Sequence, residues 1–206
     1  MLEFNWSDTV EKLKYVVPTI EYEKEAIDFI NEFYEYNSEI NGTGGLQRFL
    51  DNYPGWLLKL KEDENRIPSE EKVPAVTYFL VRESDNKIVG MINIRLALNE
   101  RLRKYAGHIG YCIRPTERRK GYNKINLYLG LKVCQQHNIK VVFMDCDSDN
   151  IASSKTMQAL GGVMTREYFD DEFSKCMVQD YIFDVDKCLK STRDVYEPLV
   201  CEQKIK

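Results

Sequence analysis

The sequence predicts a mixed α+β fold in a single domain, with a central, mostly antiparallel and twisted sheet flanked by helices. Three observations carry this prediction. The first 75 residues show helical spacing of apolar positions, and the part from residue 76 alternates strands with helices. The length of 206 residues, of which 43% are apolar, suits one well-packed core.

Two helices are predicted in the N-terminal part. From Ile20 to Tyr36, Ala26, Ile30 and Phe33 recur at three- and four-residue spacing and define an apolar face. Acidic residues follow the opposite face, and we interpret them as solvated surface, although such a stripe could also attract a cationic substrate: Glu21, Glu25, Asp28, Glu32 and Glu35. A second helix is expected from Leu46 to Lys61.

Strands begin after a polar loop. Val76 to Arg82 and Lys87 to Leu98 are rich in strand-forming residues, and the polar turn between them predicts a hairpin. His108 to Arg114 is the next strand, followed by a helix from Tyr122 to His137. The apolar run Val141 to Met144 predicts a strand covered on both faces.

The last third of the chain predicts a short helix and a closing hairpin. Asp147 to Asn150 are residues that favour the N-terminus of a helix, and Gly161-Gly162 favour its C-terminus. Val163 to Phe169 and Cys176 to Val185 then predict two paired strands.

Composition excludes several classes of protein. A net charge of −4 argues against general nucleic-acid or membrane-surface binding, which requires excess positive charge. Two histidines, and six cysteines without metal-site spacing, predict no metal centre and cysteines that are core thiols. The chain start shows no signal-peptide pattern and no apolar run is long enough to span a bilayer, so a cytoplasmic location is expected.

Positive charge is concentrated between Arg114 and Lys124, where five basic residues accompany one acid, Glu117. The segment joins a strand to the start of a helix, where free backbone N–H groups and the helix dipole favour an anion. Gly121 removes the side chain that would keep a phosphate from the backbone. These features predict a phosphate or pyrophosphate site, without the pattern of a Walker-type loop.

Three motifs in register resemble the GNAT superfamily of acetyl-CoA-dependent N-acetyltransferases, over roughly residues 76–185. The segment 118–123 (RRKGYN) is similar to the family's R/Q-x-x-G-x-G/A pyrophosphate loop, with Asn123 in place of the usual small residue. The segment 107–115 (GHIGYCIRP) looks like the preceding strand in a group of bacterial members. The segment 149–153 (DNIAS), with Gly161-Gly162, resembles the family's second conserved block.

The resemblance implies a set of cofactor-binding residues. The backbone of β-strand residues would pair with the pantetheine arm, and the following loop would cradle the pyrophosphate. An asparagine would hydrogen-bond the pantetheine, assisted by a serine. In chain order these residues are Tyr111, Cys112, Ile113, Arg118, Arg119, Lys120, Gly121, Tyr122, Asn123, Lys124, Asn150 and Ser153. It also implies a splayed pair of parallel strands, ending near Arg114 and beginning at Lys140, whose gap exposes a donor for the oxyanion of acyl transfer.

Catalytic assignments stay open at this point. The family often places a proton-donating tyrosine where this chain has Met157, so the general acid is another group, Tyr111, Tyr168 or water. Asp145 and His108 are candidates for the general base. His108 is equally well explained as a hydrogen-bonded core histidine, and Asp145 as a residue of the turn before a helix.

The function expected from the resemblance is transfer of an acetyl group from acetyl-CoA to a primary amine by direct attack in a ternary complex. The alternative is a non-catalytic acyl-CoA-binding or regulatory module, which the missing tyrosine favours. The acceptor would be an amine-bearing small molecule or a protein or peptide, and a homodimer is compatible with the family. We divide the single domain into a variable helical part (1–75), a cofactor-binding core (76–186) and a C-terminal tail (187–206).

Overall fold

The computed structural model describes residues 11–201; the first ten residues, on which the signal-peptide expectation rests, and residues 202–206 lie outside the described part. Within residues 11–201, seven strands form two sheets. The first has the order β1 (Leu13–Val16), β2 (Ala75–Arg82), β3 (Ile88–Arg95) and β4 (Ile109–Ile113), and every neighbouring pair in it is antiparallel. The second has the order β5 (Val141–Asp147), β7 (Met177–Asp184) and β6 (Val163–Phe169), and it is also antiparallel.

Helices cover both faces of the first sheet. On one face, α1 (Glu23–Glu35) and α2 (Tyr53–Glu64) enclose an aromatic core around Phe29, Trp56 and Phe79. On the other face, α4 (Tyr122–Gln136) packs with α6 (Val185–Tyr196) over the larger core. Two shorter helices are α3 (Glu100–Lys104), between β3 and β4, and α5 (Ile151–Ala159), between β5 and β6. The α+β architecture predicted from the sequence is confirmed.

Several predicted elements are confirmed and others differ. The β2–β3 hairpin, α4, α5 and the β6–β7 hairpin form where the sequence indicates. The prediction that the Val141–Met144 strand is covered on both faces is wrong, because Val141 is 41% exposed while Val142 and Met144 are buried. The strand has one solvent-facing side, as an antiparallel sheet allows.

Three elements were not anticipated: β1, α3 and α6. The segment interpreted as a tail contains most of α6, which begins at the capping residue Asp184 and buries Cys188, Leu189 and Tyr196. The four-residue β1 is too short for a periodic signal. It forms because its backbone pairs with β2 while Leu13 and Tyr15 enter the core.

Candidate active site

The two sheets meet and then separate at the starts of β4 and β5. The backbone N–H of His108 donates to Phe143 O at 2.7 Å, and Phe143 N–H donates to His108 Nδ1 at 3.1 Å. Further along, Ser153 on α5 lies within hydrogen-bond reach of both Tyr111 and Cys146, so the two strands run in the same direction. Beyond this junction they belong to different sheets, which leaves a gap between them.

The structure places His108 inside this junction. Its side chain is 7% exposed, its ring stacks on Phe143, and it lines none of the cavities described below. Burial, together with the nearby guanidinium groups of Arg95 and Arg103, lowers the pKa of His108 to about 4. At neutral pH the ring is therefore uncharged, with Nδ1 already accepting a hydrogen bond. These contacts are those of a core histidine that joins two strands.

The backbone of β4 has one edge in the sheet and one in the gap. Arg114 N–H donates to Val89 O, and His108 O accepts from Arg95 N–H, so even-numbered residues of this strand face β3. By alternation, the N–H and C=O groups of Tyr111 and Ile113 face the gap. Arg118 Nε already donates to Ile113 O at 3.2 Å. The same alternation turns the backbone of Cys112 away from the gap.

The loop after β4 ends at Gly121, which caps α4 with φ of +80° and has no atom within 4 Å of the position of a Cβ. The first helical turn presents backbone N–H groups without helical acceptors. Lys124 N–H donates to Gly121 O, which leaves the N–H groups of Tyr122 and Asn123 pointing out of the helix start. This geometry fits the predicted anion site.

The charge of this loop is smaller than its composition indicates. Lys120 donates to Glu117, which also binds Arg82 and Lys87. Arg114 forms ion pairs with two acidic residues of α1, Glu25 and Glu32.

The expectation that the acidic α1 stripe is only solvated surface is therefore wrong for Glu25 and Glu32. The expected excess of four positive charges is also too large, because Glu25 and Glu32, which are distant in sequence, neutralise Arg114. Among residues 11–201, Arg119 and Lys124 have no ion-pair partner, and Arg118 bonds only neutral oxygens, at Ile113 and Ser38.

A cavity of about 770 Å³, which we call the helix-start groove, connects this loop with the gap. Asn150 lies at its edge and caps α5, since its Oδ1 accepts from Ser153 N–H at 3.1 Å. Eleven of the twelve predicted cofactor-binding residues line the groove, and Lys120 does not; the eleven are Tyr111, Cys112, Ile113, Arg118, Arg119, Gly121, Tyr122, Asn123, Lys124, Asn150 and Ser153.

Tyr111 lies where the groove reaches the gap. Its hydroxyl is 2.8 Å from Ser153 Oγ, and burial raises the pKa of the phenol well above its ordinary value. The hydroxyl therefore stays protonated and can donate a hydrogen bond, and burial also makes it a weaker acid than an exposed tyrosine. Asn123 is close by and donates weakly to Thr156 Oγ1 at 3.5 Å, while its buried Oδ1 has no partner among the described residues.

A second cavity of about 380 Å³, which we call the strand-gap pocket, continues from the groove between β4 and β5. Five residues line both cavities: Glu39, Asn41, Tyr111, Asn150 and Ser153. Four carboxylates line the pocket against one cationic side chain, Arg95; they belong to Glu39, Asp145, Asp147 and Asp170. The pocket therefore favours a cationic ligand.

Asp145 has an unusual environment for a carboxylate. Its Oδ2 accepts from Ala106 N–H at 2.9 Å, and burial, with a smaller contribution from Asp180, raises the pKa of Asp145 above its usual value. A carboxylate with a raised pKa is a stronger base than an exposed one.

Met157 is fully buried in the larger core and does not line the groove. Tyr168 lines the strand-gap pocket and is stacked under the guanidinium of Arg166, 3.9 Å from its ring centroid. Of the three groups considered as acid from the sequence, Tyr111 is the one placed between both cavities.

Within residues 11–201, no group of three or more His, Cys, Asp or Glu side chains is arranged to hold a metal ion.

A sequence profile described as the acetyltransferase (GNAT) family matches residues 30–161, which include the helix-start groove and Asp145. This chain belongs to the GNAT acetyltransferase family. The match covers more than half of the chain, and it confirms the family resemblance. No curated protein sequence matches this GNAT protein significantly.

Solved structures share the fold at low sequence identity. RimJ of Mycobacterium smegmatis, in complex with CoA-disulfide, is 11% identical with a TM-score of 0.65, over 91% of this chain and 96% of that one. The microcin C7 self-immunity acetyltransferase MccE, in complex with acetyl-CoA and AMP, is 16% identical with a TM-score of 0.60, over 84% and 92%. The spermidine/spermine N-acetyltransferase SpeG of Vibrio cholerae is 12% identical with a TM-score of 0.61, over 88% and 98%.

Sequence reasoning missed some residues of this GNAT site. Glu39 and Asn41, from the loop after α1, line both cavities, and Arg95 and Asp147 line the pocket. The sequence carried a signal only for Asp147, which stands three residues before the cap Asn150.

No helix among the described residues has the length and apolarity to cross a membrane.

Proposed function

We propose that this GNAT protein transfers the acetyl group of acetyl-CoA to a primary amine by direct attack in a ternary complex. The observation that carries the proposal is the meeting of two cavities at Tyr111. One cavity leads from an anion-binding helix start, and the other is lined by four carboxylates. A donor with a pyrophosphate and an acceptor with a cationic amine can therefore reach the same point of the strand gap.

The helix-start groove fits the cosubstrate. Gly121 leaves the helix start open, the N–H groups of Tyr122 and Asn123 point outward, and Arg119 and Lys124 add unpaired positive charge. The gap-facing backbone of Tyr111 and Ile113 can pair with the amides of a pantetheine arm as a strand would. Asn150 keeps its Nδ2 as a donor, because only its Oδ1 is used in the cap. When bound, acetyl-CoA supplies an activated thioester carbonyl at the gap.

Asp145 is the general base of this proposal. It lines the strand-gap pocket, and its raised pKa makes it able to take the proton that the attacking amine loses. The other three carboxylates of the pocket attract the acceptor in its ammonium form. His108 is not assigned this role, because its neutral ring is fixed between strands outside the cavities.

Tyr111 is the general acid. Its protonated hydroxyl lies at the junction of the cavities, and Ser153 holds it in place. It can protonate the sulfur that leaves, which is the role that a tyrosine at position 157 would otherwise supply. The thiol of Cys112 is buried and faces the α1–α2 core, so attack by the amine itself accounts for transfer without an acyl-enzyme.

The first test is thermal unfolding with and without acetyl-CoA, with ATP and NAD as controls. A ligand at a hundredfold excess over its Kd stabilises the native state by about 2.7 kcal/mol, which a melting experiment detects. We expect a shift with acetyl-CoA that the controls do not reproduce. No shift would contradict the groove assignment.

The second test is release of free CoA thiol in the presence of a panel of primary amines. Amine-dependent release, with the acetylated amine identified by mass spectrometry, is the expected result. A shift with acetyl-CoA but no release with any amine would instead favour the non-catalytic acyl-CoA-binding module, which the buried Met157 supports.

A further inference from the structure

A third cavity, which we call the loop chamber, adjoins the strand-gap pocket. It measures about 670 Å³ and lies between the loop 40–48, α2 and the ends of β2 and β3. Four residues line both cavities: Asn41, Gly42, Arg95 and Gly110. A ligand in the strand-gap pocket can therefore extend into the loop chamber.

The half-buried charges of the loop chamber are unbalanced. Lys59, Arg66 and Arg95 are half-buried cations, whereas Asp63 is the single half-buried carboxylate among the described residues that line the chamber. Asp63 is shared, since it binds both Lys59 and Arg66. The remaining charged lining residues are exposed at the rim and carry both signs: Arg48, Glu62, Glu71 and Lys72.

Two of these cations have donors without an anionic partner. Arg66 Nε is buried and has no acceptor among the described residues. Arg95 donates from one terminal nitrogen to Ala106 O at 3.0 Å and Gly107 O at 2.9 Å, and it forms no ion pair with a carboxylate of the described residues. Burial lowers the pKa of Arg95, and the charge of the nearby Asp145 offsets this effect only in part. A buried cation in this state binds an anion favourably.

We propose that the acceptor amine also carries an anionic oxygen group, a carboxylate or a phosphate, which Arg95 and Arg66 bind in the loop chamber while the amine faces Asp145. The proposal deepens the acetyltransferase function and rests on it. It adds a class of substrate, an amine that bears a negative charge of its own.

The relative positions of Asp145 and Arg95 limit the length of such an acceptor. Asp145 accepts from Ala106 N–H, and Arg95 donates to Ala106 O, so the two charged groups flank the same residue. They form no ion pair within 4 Å, and adding the bonded distances through Ala106 places them at most about 10 Å apart. This separation suits a small molecule whose amine and anionic group are a few bonds apart.

The test compares four acceptors of similar size with acetyl-CoA and the full chain. They are γ-aminobutyrate, aminoethyl phosphate, uncharged butylamine and the dication diaminobutane. We expect kcat/KM to be about 10- to 100-fold higher for an anionic amine than for butylamine, the range for hydrogen bonds to a charged partner. The first two acceptors distinguish a carboxylate from a phosphate. Butylamine or diaminobutane used as well as both anionic amines would overturn the inference and leave the acetyltransferase function standing.

Variants locate the effect in the loop chamber. Arg66→Gln is expected to remove most of the preference by raising the KM for the anionic amine, with the KM for acetyl-CoA unchanged. Lys61→Gln is the matched control, since Lys61 is an exposed cation near the end of α2, five residues before Arg66, that does not line the chamber. Arg95→Lys keeps the charge and a donor to Ala106 O, and it should lower the preference without unfolding the protein. An unchanged preference in both Arg66→Gln and Arg95→Lys would overturn the inference.

A binding measurement decides the inference even without turnover. Calorimetry with CoA present would compare N-acetyl-γ-aminobutyrate and N-acetyl-aminoethyl phosphate with N-acetylbutylamine. Tighter binding of a charged product, weakened by Arg66→Gln and not by Lys61→Gln, supports the chamber as an anion site. Equal binding of all three contradicts it. Failure of every amine to be acetylated, by contrast, counts against the proposed function.

Discussion

At the scale of single residues, burial has opposite chemical consequences for the two groups considered as general base. Removal of water penalises the charged form, so it raises the pKa of Asp145 and lowers that of His108 to about 4. Asp145 becomes a better base by burial, and His108 becomes a neutral hydrogen-bond acceptor for Phe143. Asp145 lines the strand-gap pocket, where it can react, whereas His108 lies outside the cavities and has a structural role.

The role of Asp145 predicts a loss of rate on removal of its charge. We expect Asp145→Asn to lower kcat by about 10²-fold or more, the usual contribution of a general base, while the Kd for acetyl-CoA changes little. Asparagine keeps an oxygen that can accept from Ala106 N–H, so the fold is retained. The matched control is Asp171→Asn, an exposed carboxylate outside the cavities.

The pH dependence gives a second measurement of the same change. Because burial raises the pKa of Asp145, the wild-type rate should fall with decreasing pH earlier than for an ordinary carboxylate, and the variant should lose this limb. Full activity of Asp145→Asn would assign the base to another group.

Cys112 is the other residue whose position invites a chemical role. Its thiol is buried against Met91 and the α1–α2 core, and burial raises its pKa to about 12, so the nucleophilic thiolate is scarce. We expect Cys112→Ala to retain most of the activity, measured as kcat for an acetylated amine. An inactive Cys112→Ala variant that still binds acetyl-CoA would refute direct transfer.

At the scale of elements, the start of α4 gathers the features of an anion site, but only part of its positive charge is free. Glu117 neutralises Lys120, and Glu25 and Glu32 neutralise Arg114. These pairings fix the loop against α1 and the β2–β3 hairpin. The free charges at Arg119 and Lys124 are then those that can act on a ligand in the groove.

The double variant Arg119→Glu with Lys124→Glu tests this division. We expect it to raise the Kd for acetyl-CoA by at least about tenfold, and by less at high salt, because exposed charges are screened. Lys155→Glu is the control, since Lys155 is exposed on α5 beside the groove without lining it. Calorimetric titration measures both, and equal affinities would remove the pyrophosphate assignment.

The junction of β4 and β5 depends on a second element-scale feature, the turn at Gly107. Its φ is +50°, and a Cβ there would lie 2.1 Å from Phe143 O, which is backbone and cannot move aside. We expect Gly107→Ala to lower the free energy of unfolding by about 3 kcal/mol, measured by chemical denaturation. Gly121→Ala has a similarly positive φ but open space around the Cβ, and it should cost only about 1 kcal/mol. Equal losses in the two variants would show that backbone strain, and not the contact with β5, explains the glycine.

At the scale of the whole molecule, one ion cluster links distant parts of the chain. Burial alone would raise the pKa of Glu117, but hydrogen bonds from Lys120, Lys87 and Arg82 outweigh it and lower the pKa to about 2. The carboxylate thereby ties the loop before α4 to the end of β2 and to the turn of the β2–β3 hairpin. This connection holds the helix-start groove on the sheet.

The sign of this shift predicts a stability profile. A carboxylate with a lowered folded-state pKa stabilises the protein above its ordinary pKa, and the contribution is lost as the pH falls from about 4.5 towards about 2. We expect the free energy of unfolding to decline over that window in the wild type, and to decline less in Glu117→Gln. Glu167→Gln, at an exposed site of β6, is the control. Denaturant titrations at a series of pH values measure the profile, and parallel profiles for wild type and Glu117→Gln would contradict the assignment.

Much of the fold and of the cofactor groove could be predicted because their signals are local. The β2–β3 hairpin follows from a polar turn between strand-forming runs, and α4 follows from a glycine before a broad apolar face. Of the elements that were missed, β1 has only four residues and lacks such a signal. α6 does carry one, since apolar residues at helical spacing follow the capping residue Asp184, but the segment was interpreted as a tail. Both become stable only through partners elsewhere in the chain, β2 for the first and α4 for the second.

The sequence by itself determined the α+β class, the family and the helix start that suits a pyrophosphate, since each depends on residues that are neighbours in the chain. Tertiary structure decided which charges stay free, that His108 joins two strands, and that Asp145, Tyr111 and Arg95 surround one gap. The physical reason is that desolvation and ion pairing depend on the distance in space between groups. Glu117 and Arg82, or Asp145 and Ala106, are far apart in sequence and meet only after folding.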